Sequence, residues 1–111
     1  MITVIPTAER SIFFDPPKVV SVAATATEIL PNQANEVGTI AYRLIQNPGD
    51  VAIYFTIGQD NGSGNAKCDS THYHGFIPAG GQLDCSGHYN RVCGFVVGGG
   101  GSAATMVGRR K

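Results

Sequence analysis

The sequence predicts an all-β protein: a single antiparallel β-sandwich, or jelly-roll-like domain, carrying an extended N-terminal arm. Three observations lead there. Between residues 37 and 97, apolar segments of strand length show period-two alternation, clearest at Val51, Ile53, Phe55 and Ile57. Turn chemistry separates these segments at Asn47-Pro48-Gly49-Asp50, at Pro78-Ala79-Gly80-Gly81 and in the glycine run 98–101. No stretch has the period of an amphipathic helix, and no repeat of solenoid length is present.

Taken in order, residues 1–18 form the arm and residues 19–111 the sandwich. The arm ends in the apolar cluster Ile12, Phe13 and Phe14 followed by Asp15-Pro16-Pro17, and two consecutive prolines stop a helix and hold the chain extended. Consecutive apolar residues of a strand point to opposite faces, so the cluster cannot lie wholly on its own sandwich. Ile12, Phe13 and Phe14 are therefore the predicted contact residues for a neighbouring subunit or particle surface, the other reading being an edge strand of the domain itself. Residues 19–30 hold two short strands, and residues 31–35 a turn. In residues 37–46 Ile40, Tyr42 and Leu44 alternate with Thr39, Ala41 and Arg43, the periodicity of a strand with one face in the core. Residues 51–57 form the next strand, with Ala52, Tyr54 and Thr56 on its second face. Residues 58–71 are too polar and glycine-rich for core and read as a rim loop. Strands follow at 73–77, 82–85, 91–97 and 103–107, for a total of seven or eight.

At 111 residues the chain is one domain, long enough to bury roughly two-thirds of its unfolded surface without metal or disulfide staples. Eight basic residues balance eight acidic ones, and only 14% of the chain is charged. Phosphate binding needs several converging Lys and Arg, so no nucleic-acid partner is expected. A neutral, charge-poor exterior suits burial against other subunits, since neutral groups leave water far more cheaply than ions. No apolar run reaches the roughly 18 residues of a membrane helix, and the N-terminus lacks the pattern of a secretory signal, so no membrane partner is expected. Three cysteines leave at least one unpaired in a monomer, which favours reduced thiols and cytoplasmic synthesis.

One constellation could carry chemistry. Cys68, His72, His74, Cys85, His88 and Cys93 are zinc-compatible, and His72 and His74 would share a strand face. No pair has the close spacing of a structural zinc site, so the expectation is Cys85 and Cys93 as small core residues, histidines on the surface or in loops, no metal and no cofactor. No signature frames a nucleophile, and Asp50, Asp60 and Asp69 sit where Asp serves turns. No catalytic residue is expected, and the chain is not predicted to be an enzyme.

The Ile29-Leu30-Pro31-Asn32 segment, the strand ending Ile45-Gln46-Asn47-Pro48-Gly49-Asp50, the turn at 78–81 before Gln82-Leu83, and residues 87–94 together resemble small β-sandwich structural proteins of tailed bacteriophages. The resemblance spans about residues 24–97 and departs from the pattern at the three cysteines and at His72-Tyr73-His74. It implies a virion protein made in the host cytoplasm: a capsid decoration or cement protein on the capsid surface, or a head fibre. Its implied partners are the major capsid protein and sister copies in a homotrimer. The alternatives are a tail or head-tail joint protein, or a carbohydrate-binding sandwich using Tyr73, His74, His88 and Tyr89.

Overall fold

The computed structural model describes residues 12–59 and 67–110. Nine strands run through them: β1 (Ile12–Phe14), β2 (Lys18–Val22), β3 (Thr27–Leu30), β4 (Ile40–Gln46), β5 (Ile53–Ile57), β6 (Gly75–Ile77), β7 (Gln82–Asp84), β8 (Val92–Phe95) and β9 (Gly101–Arg110). The only helical piece among the described residues is one 3-10 turn, Ala34–Glu36. Every strand pair is antiparallel. One sheet has the order β2-β9-β4-β7, with β1 also on β9, and the other the order β3-β8-β5-β6. The chain crosses between sheets after β2, β3, β4, β6, β7 and β8, which is jelly-roll connectivity. The all-β sandwich expected from periodicity and turn spacing is the observed fold.

The core lies between the sheets. Val22, Ile40, Ile45, Ala103 and Val107 from the first meet Ile29, Leu30, Ile53, Ile77 and Val92 from the second. Each fully buried aliphatic side chain contributes about 1.5–3 kcal/mol relative to exposure. On β5 the alternation holds: Ile53, Phe55 and Ile57 face this core, although Phe55 and Ile57 are only half-buried and Val51 is exposed.

β9 organises the first sheet, because β1 and β2 lie end to end along one of its edges. β1 sets Ile12 opposite Arg110 and Phe14 opposite Gly108, whereas β2 sets Lys18 opposite Thr105, a register one residue out of step. The extra residue falls in Asp15-Pro16-Pro17. Asp15 still donates its N–H to the Val107 carbonyl at 2.9 Å, and the prolines, with no N–H, break the ladder at no further cost in donors. β1 and β2 are thus one strand with a proline bulge, and the end of the arm is an edge strand of its own sheet. The rest of the arm, residues 1–11, lies outside the described residues. The turn into β9 uses Gly98, Gly99 and Gly100 at φ 82, 76 and 76, a backbone region that side chains disfavour.

β4 departs from the sequence expectation. Ile40 is opposite Arg109 but Tyr42 is opposite Gly108, so Ala41 is an extra residue in the ladder. One inserted residue reverses the facing of everything after it. Arg43 and Ile45 therefore point inward, and Tyr42 and Leu44, expected on the same face as the buried Ile40, point outward. Residues 67–71 lie outside any strand, as the loop reading expects, but Cys68 departs from it by being buried against the outer face of the second sheet.

Asn47 links two turns. Its side-chain amide donates to the carbonyls of Val51 (2.7 Å) and Ile77 (2.9 Å), its side-chain oxygen accepts from Gly49 N–H at 3.1 Å, and its backbone bonds to Gly80 and Gly81. The reversed phase of β4 has a measurable consequence. Ile45→Ala should destabilise the fold by about 2–5 kcal/mol, as a buried large-to-small change does, whereas Tyr42→Ala should cost less than about 1 kcal/mol. Urea titrations of both variants check this, and the opposite ranking would restore the simple alternation.

Candidate functional site

The outward turn of Tyr42 builds a surface. Gly108 of β9 lies between β1 and β4, and a Cβ there would meet Tyr42 Cδ2 at 2.9 Å, Phe14 Cε1 at 3.0 Å and Ile12 Cγ2 at 3.2 Å. Three apolar side chains thus converge over a residue that must lack one. The Phe14 and Tyr42 rings stack at 6.5 Å with an interplanar angle of 17°. Leu44 opposite Met106 and Val19 opposite Ala104 extend the same face. Beside it runs an open groove of about 450 Å³ lined by Phe14, Pro16, Pro17, Val19, Gln46 and Met106. Phe14 is 54% exposed and Phe13, facing the other way, 53%.

An ion network holds the proline bulge in place. Arg109 grips both carboxylate oxygens of Asp15, at 2.8 and 3.2 Å, and pairs with Glu36 of the 3-10 turn. These two carboxylates raise the Arg109 pKa above its ordinary value. Arg110 donates to the Ile40 carbonyl at 2.6 Å. Two residues of the basic C-terminal triplet therefore tie the arm and β4 to β9.

The second sheet's outer face carries a different aromatic cluster. Tyr54 stacks on Phe95 with ring centroids 5.2 Å apart, meets Tyr73 edge-on at 4.9 Å and Phe76 at 5.7 Å. Tyr73 and Phe76 remain substantially exposed, Phe76 at 56%. Cys68 and Cys93 are buried against this cluster.

The zinc-compatible residues are dispersed. His72 Nε2 lies 3.0 Å from Gln59 Oε1, and His74 Nδ1 accepts the Ile57 N–H at 3.0 Å. Cys85 sits in the main core, its thiol donating to the Arg43 carbonyl at 3.3 Å, and His88 donates its backbone N–H to Cys85 O. Among the described residues no three His, Cys, Asp or Glu converge on a point where a metal could sit. The sugar-platform residues separate too: Tyr73 belongs to the outer cluster, whereas Tyr89 packs on the main core and accepts from Gln33 N–H at 2.7 Å. Among the described residues no helix is long and apolar enough to cross a membrane.

Arg43 is the buried residue whose role the sequence pattern does not reveal. Completely buried, its guanidinium donates to Gln33 Oε1 (2.9 Å) and to the carbonyls of Pro31 (2.8 Å), Asn90 (3.1 Å) and His88. Burial lowers its pKa, opposed by smaller contributions from Cys85, Tyr89 and Glu36. An Arg among Ile and Leu was the visible signal, but only the bulge at Ala41 turns it inward.

With this geometry in hand, the chain can be set beside known proteins. No family model matches it, and no curated protein does. A solved structure does match, from end to end. The chain is similar to a pilin of Bacillus endospore appendages, a family of disulfide-linked pili, with a TM-score of 0.50 and 14% identity over 100% of this chain and 97% of that one. This match corrects the bacteriophage reading. The full-length likeness is to a pilus protein, so the capsid decoration role, the tail and head-tail alternatives, the major capsid protein as partner and the virion location all fall. The motifs behind the resemblance are turn and core positions: Asn47 and residues 78–81 bind one another, and Leu30 is core. They specify a sandwich and not a role.

Replacing Arg43 with Met would strip partners from three carbonyls and a side-chain amide inside the fold. A loss of at least about 3 kcal/mol is expected, read from chemical denaturation. Retention of wild-type stability would show that water or other donors serve those groups.

Proposed function

We propose that this chain is a structural, non-enzymatic subunit that polymerises with sister copies into a surface fibre of the pilus kind. The single observation carrying the proposal is the end-to-end match to the endospore appendage pilin, which leaves no part of this chain outside the comparison. The surface geometry favours the same reading. The two outer faces of the sandwich are both apolar yet unlike, one built on Ile12, Phe14 and Tyr42, the other on Tyr54, Tyr73 and Phe76. Unlike faces that meet head to tail generate an open filament unless the rotation happens to close, so extended assembly is favoured over a closed homotrimer. A chain with only 14% charged residues adds little repulsion between copies. The location follows the relative: an extracellular appendage, on the endospore surface where the source organism forms spores.

Ile12 and Phe14 are assigned to the contact with the next subunit, together with Tyr42. Phe13 joins them from the opposite face of β1.

The relative's pili are disulfide-linked, but Cys68, Cys85 and Cys93 are all buried here and are the only cysteines in the sequence. A folded subunit therefore presents no thiol to its neighbour, and its fibre is held by non-covalent contacts.

Negative-stain microscopy of the concentrated protein should show fibres. A Phe14→Ser/Tyr42→Ser double variant should keep the folded domain's circular dichroism yet lose most fibre mass. A monomer or closed trimer at every concentration would refute the proposal. Heating the fibres in detergent with and without dithiothreitol tests the non-covalent assignment: equal dissociation into monomers is expected, and a ladder that collapses only with reductant would contradict it.

A further inference from the structure

Two of the three cysteines share a site beneath the aromatic cluster on the outer face of the second sheet. On β8, Val92 faces the main core, so Cys93 and Phe95 face the outside of the second sheet. Cys93 is opposite Thr56 of β5. The Thr56 hydroxyl donates to the Lys67 carbonyl at 2.8 Å, which lays the next residue, Cys68, over this pair. The Cys68 thiol also donates to the Tyr54 carbonyl at 3.5 Å. Cys68, Cys93 and Phe95 form one buried cluster closed by Ala26 and Tyr54.

The chemistry open to this pair is narrow. Zinc needs four ligands, and no third His, Cys, Asp or Glu joins the two sulfurs among the described residues. Nucleophilic catalysis needs an adjacent base, and His72 and His74 are engaged by Gln59 and by the Ile57 amide. Two neighbouring thiols can still become one disulfide.

We propose that Cys68 and Cys93 form an intrachain disulfide when the subunit meets a small-molecule disulfide oxidant, and that this bond staples the segment containing Cys68 to the outer face of the second sheet. In the first step the thiolate of one cysteine attacks the oxidant, here glutathione disulfide, forming a mixed disulfide and releasing one glutathione. The second cysteine then attacks the protein sulfur of that mixed disulfide and expels the other glutathione. Two protein thiols are oxidised, one glutathione disulfide is reduced to two thiols, and the two cysteine protons end on the departing glutathiones. Cys85 is spared, because it lies in the other cluster with its thiol on the Arg43 carbonyl. Burial pushes the Cys68 thiol up to about 11 and Cys93 upward as well, so thiolate is scarce at neutral pH. The reaction in the folded protein should therefore be slow and accelerate roughly tenfold per pH unit below that value.

The test uses the monomeric full chain, so it stands apart from fibre formation. The protein is refolded from denaturant in a buffer of reduced and oxidised glutathione, which lets thiols equilibrate before burial closes them off. It is then denatured, alkylated and peptide-mapped. One alkylated cysteine, Cys85, and a peptide linking Cys68 to Cys93 are expected. Cys85→Ser should keep the link and leave no alkylated thiol, while Cys68→Ser and Cys93→Ser should each leave two. The linked protein should melt on the order of 10 °C higher, an increase that dithiothreitol abolishes. Three alkylated thiols after refolding, a link to Cys85 or a link between two chains would each overturn the proposal, whether or not fibres form.

Discussion

The structure depends on one extra residue in β4. Ala41 has no partner in the ladder with β9, and that bulge turns Arg43 into the interior and Tyr42 out of it. A buried guanidinium must find acceptors for its five N–H groups or cost several kcal/mol. Here they come from Pro31 and Gln33 on one side and from His88 and Asn90 on the other. The segments before β4 and before β8 are thereby pinned to the same strand. Gln33 reinforces this by bonding Arg43 through its side chain and Tyr89 through its backbone. These four Arg43 bonds go to three backbone carbonyls and one side-chain amide and none to a carboxylate, so the cation orders loops instead of forming an ion pair.

The same bulge creates the surface assigned to assembly. Tyr42 reaches Phe14 only because it faces outward, and Gly108 leaves the space in which Ile12, Phe14 and Tyr42 converge. Phe14 is held there in turn by the proline bulge between β1 and β2, fixed by the Arg109 grip on Asp15. Two bulges and one ion network therefore connect the interior of the sandwich to its exposed apolar face. Apolar side chains kept outward by specific devices on a charge-poor domain suit a protein whose working state covers them.

Much of the architecture was legible in the sequence, and the reasons are local. Period-two alternation in residues 51–57 and the turn residues at 47–50 and 78–81 act over a few positions, and they predicted β5 and both turns. What stayed hidden depends on distant partners. Nothing around Ala41 distinguishes a bulged strand from a regular one, so regular alternation keeps Tyr42 and Leu44 on the face of Ile40 and Arg43 on the other. Its acceptors lie about 10 and 45 residues away, too far for any spacing rule. Cys68 was hidden because a polar, glycine-rich stretch masks one buried residue anchored by Thr56 from another strand. The convergence of Ile12, Phe14 and Tyr42 required knowing that the two ends of the chain share β9. The apparent likeness to phage proteins rested on turn and core positions, which many sandwiches need irrespective of what they do.

The most direct measurement is a helical reconstruction of the assembled fibre by electron cryomicroscopy, at a resolution that places side chains. The account predicts that the face formed by Ile12, Phe14 and Tyr42 is covered by a neighbouring subunit, with Arg43 still enclosed within each sandwich. A particle in which that face remains in contact with water, while copies meet through other surfaces or close into a ring, would contradict it.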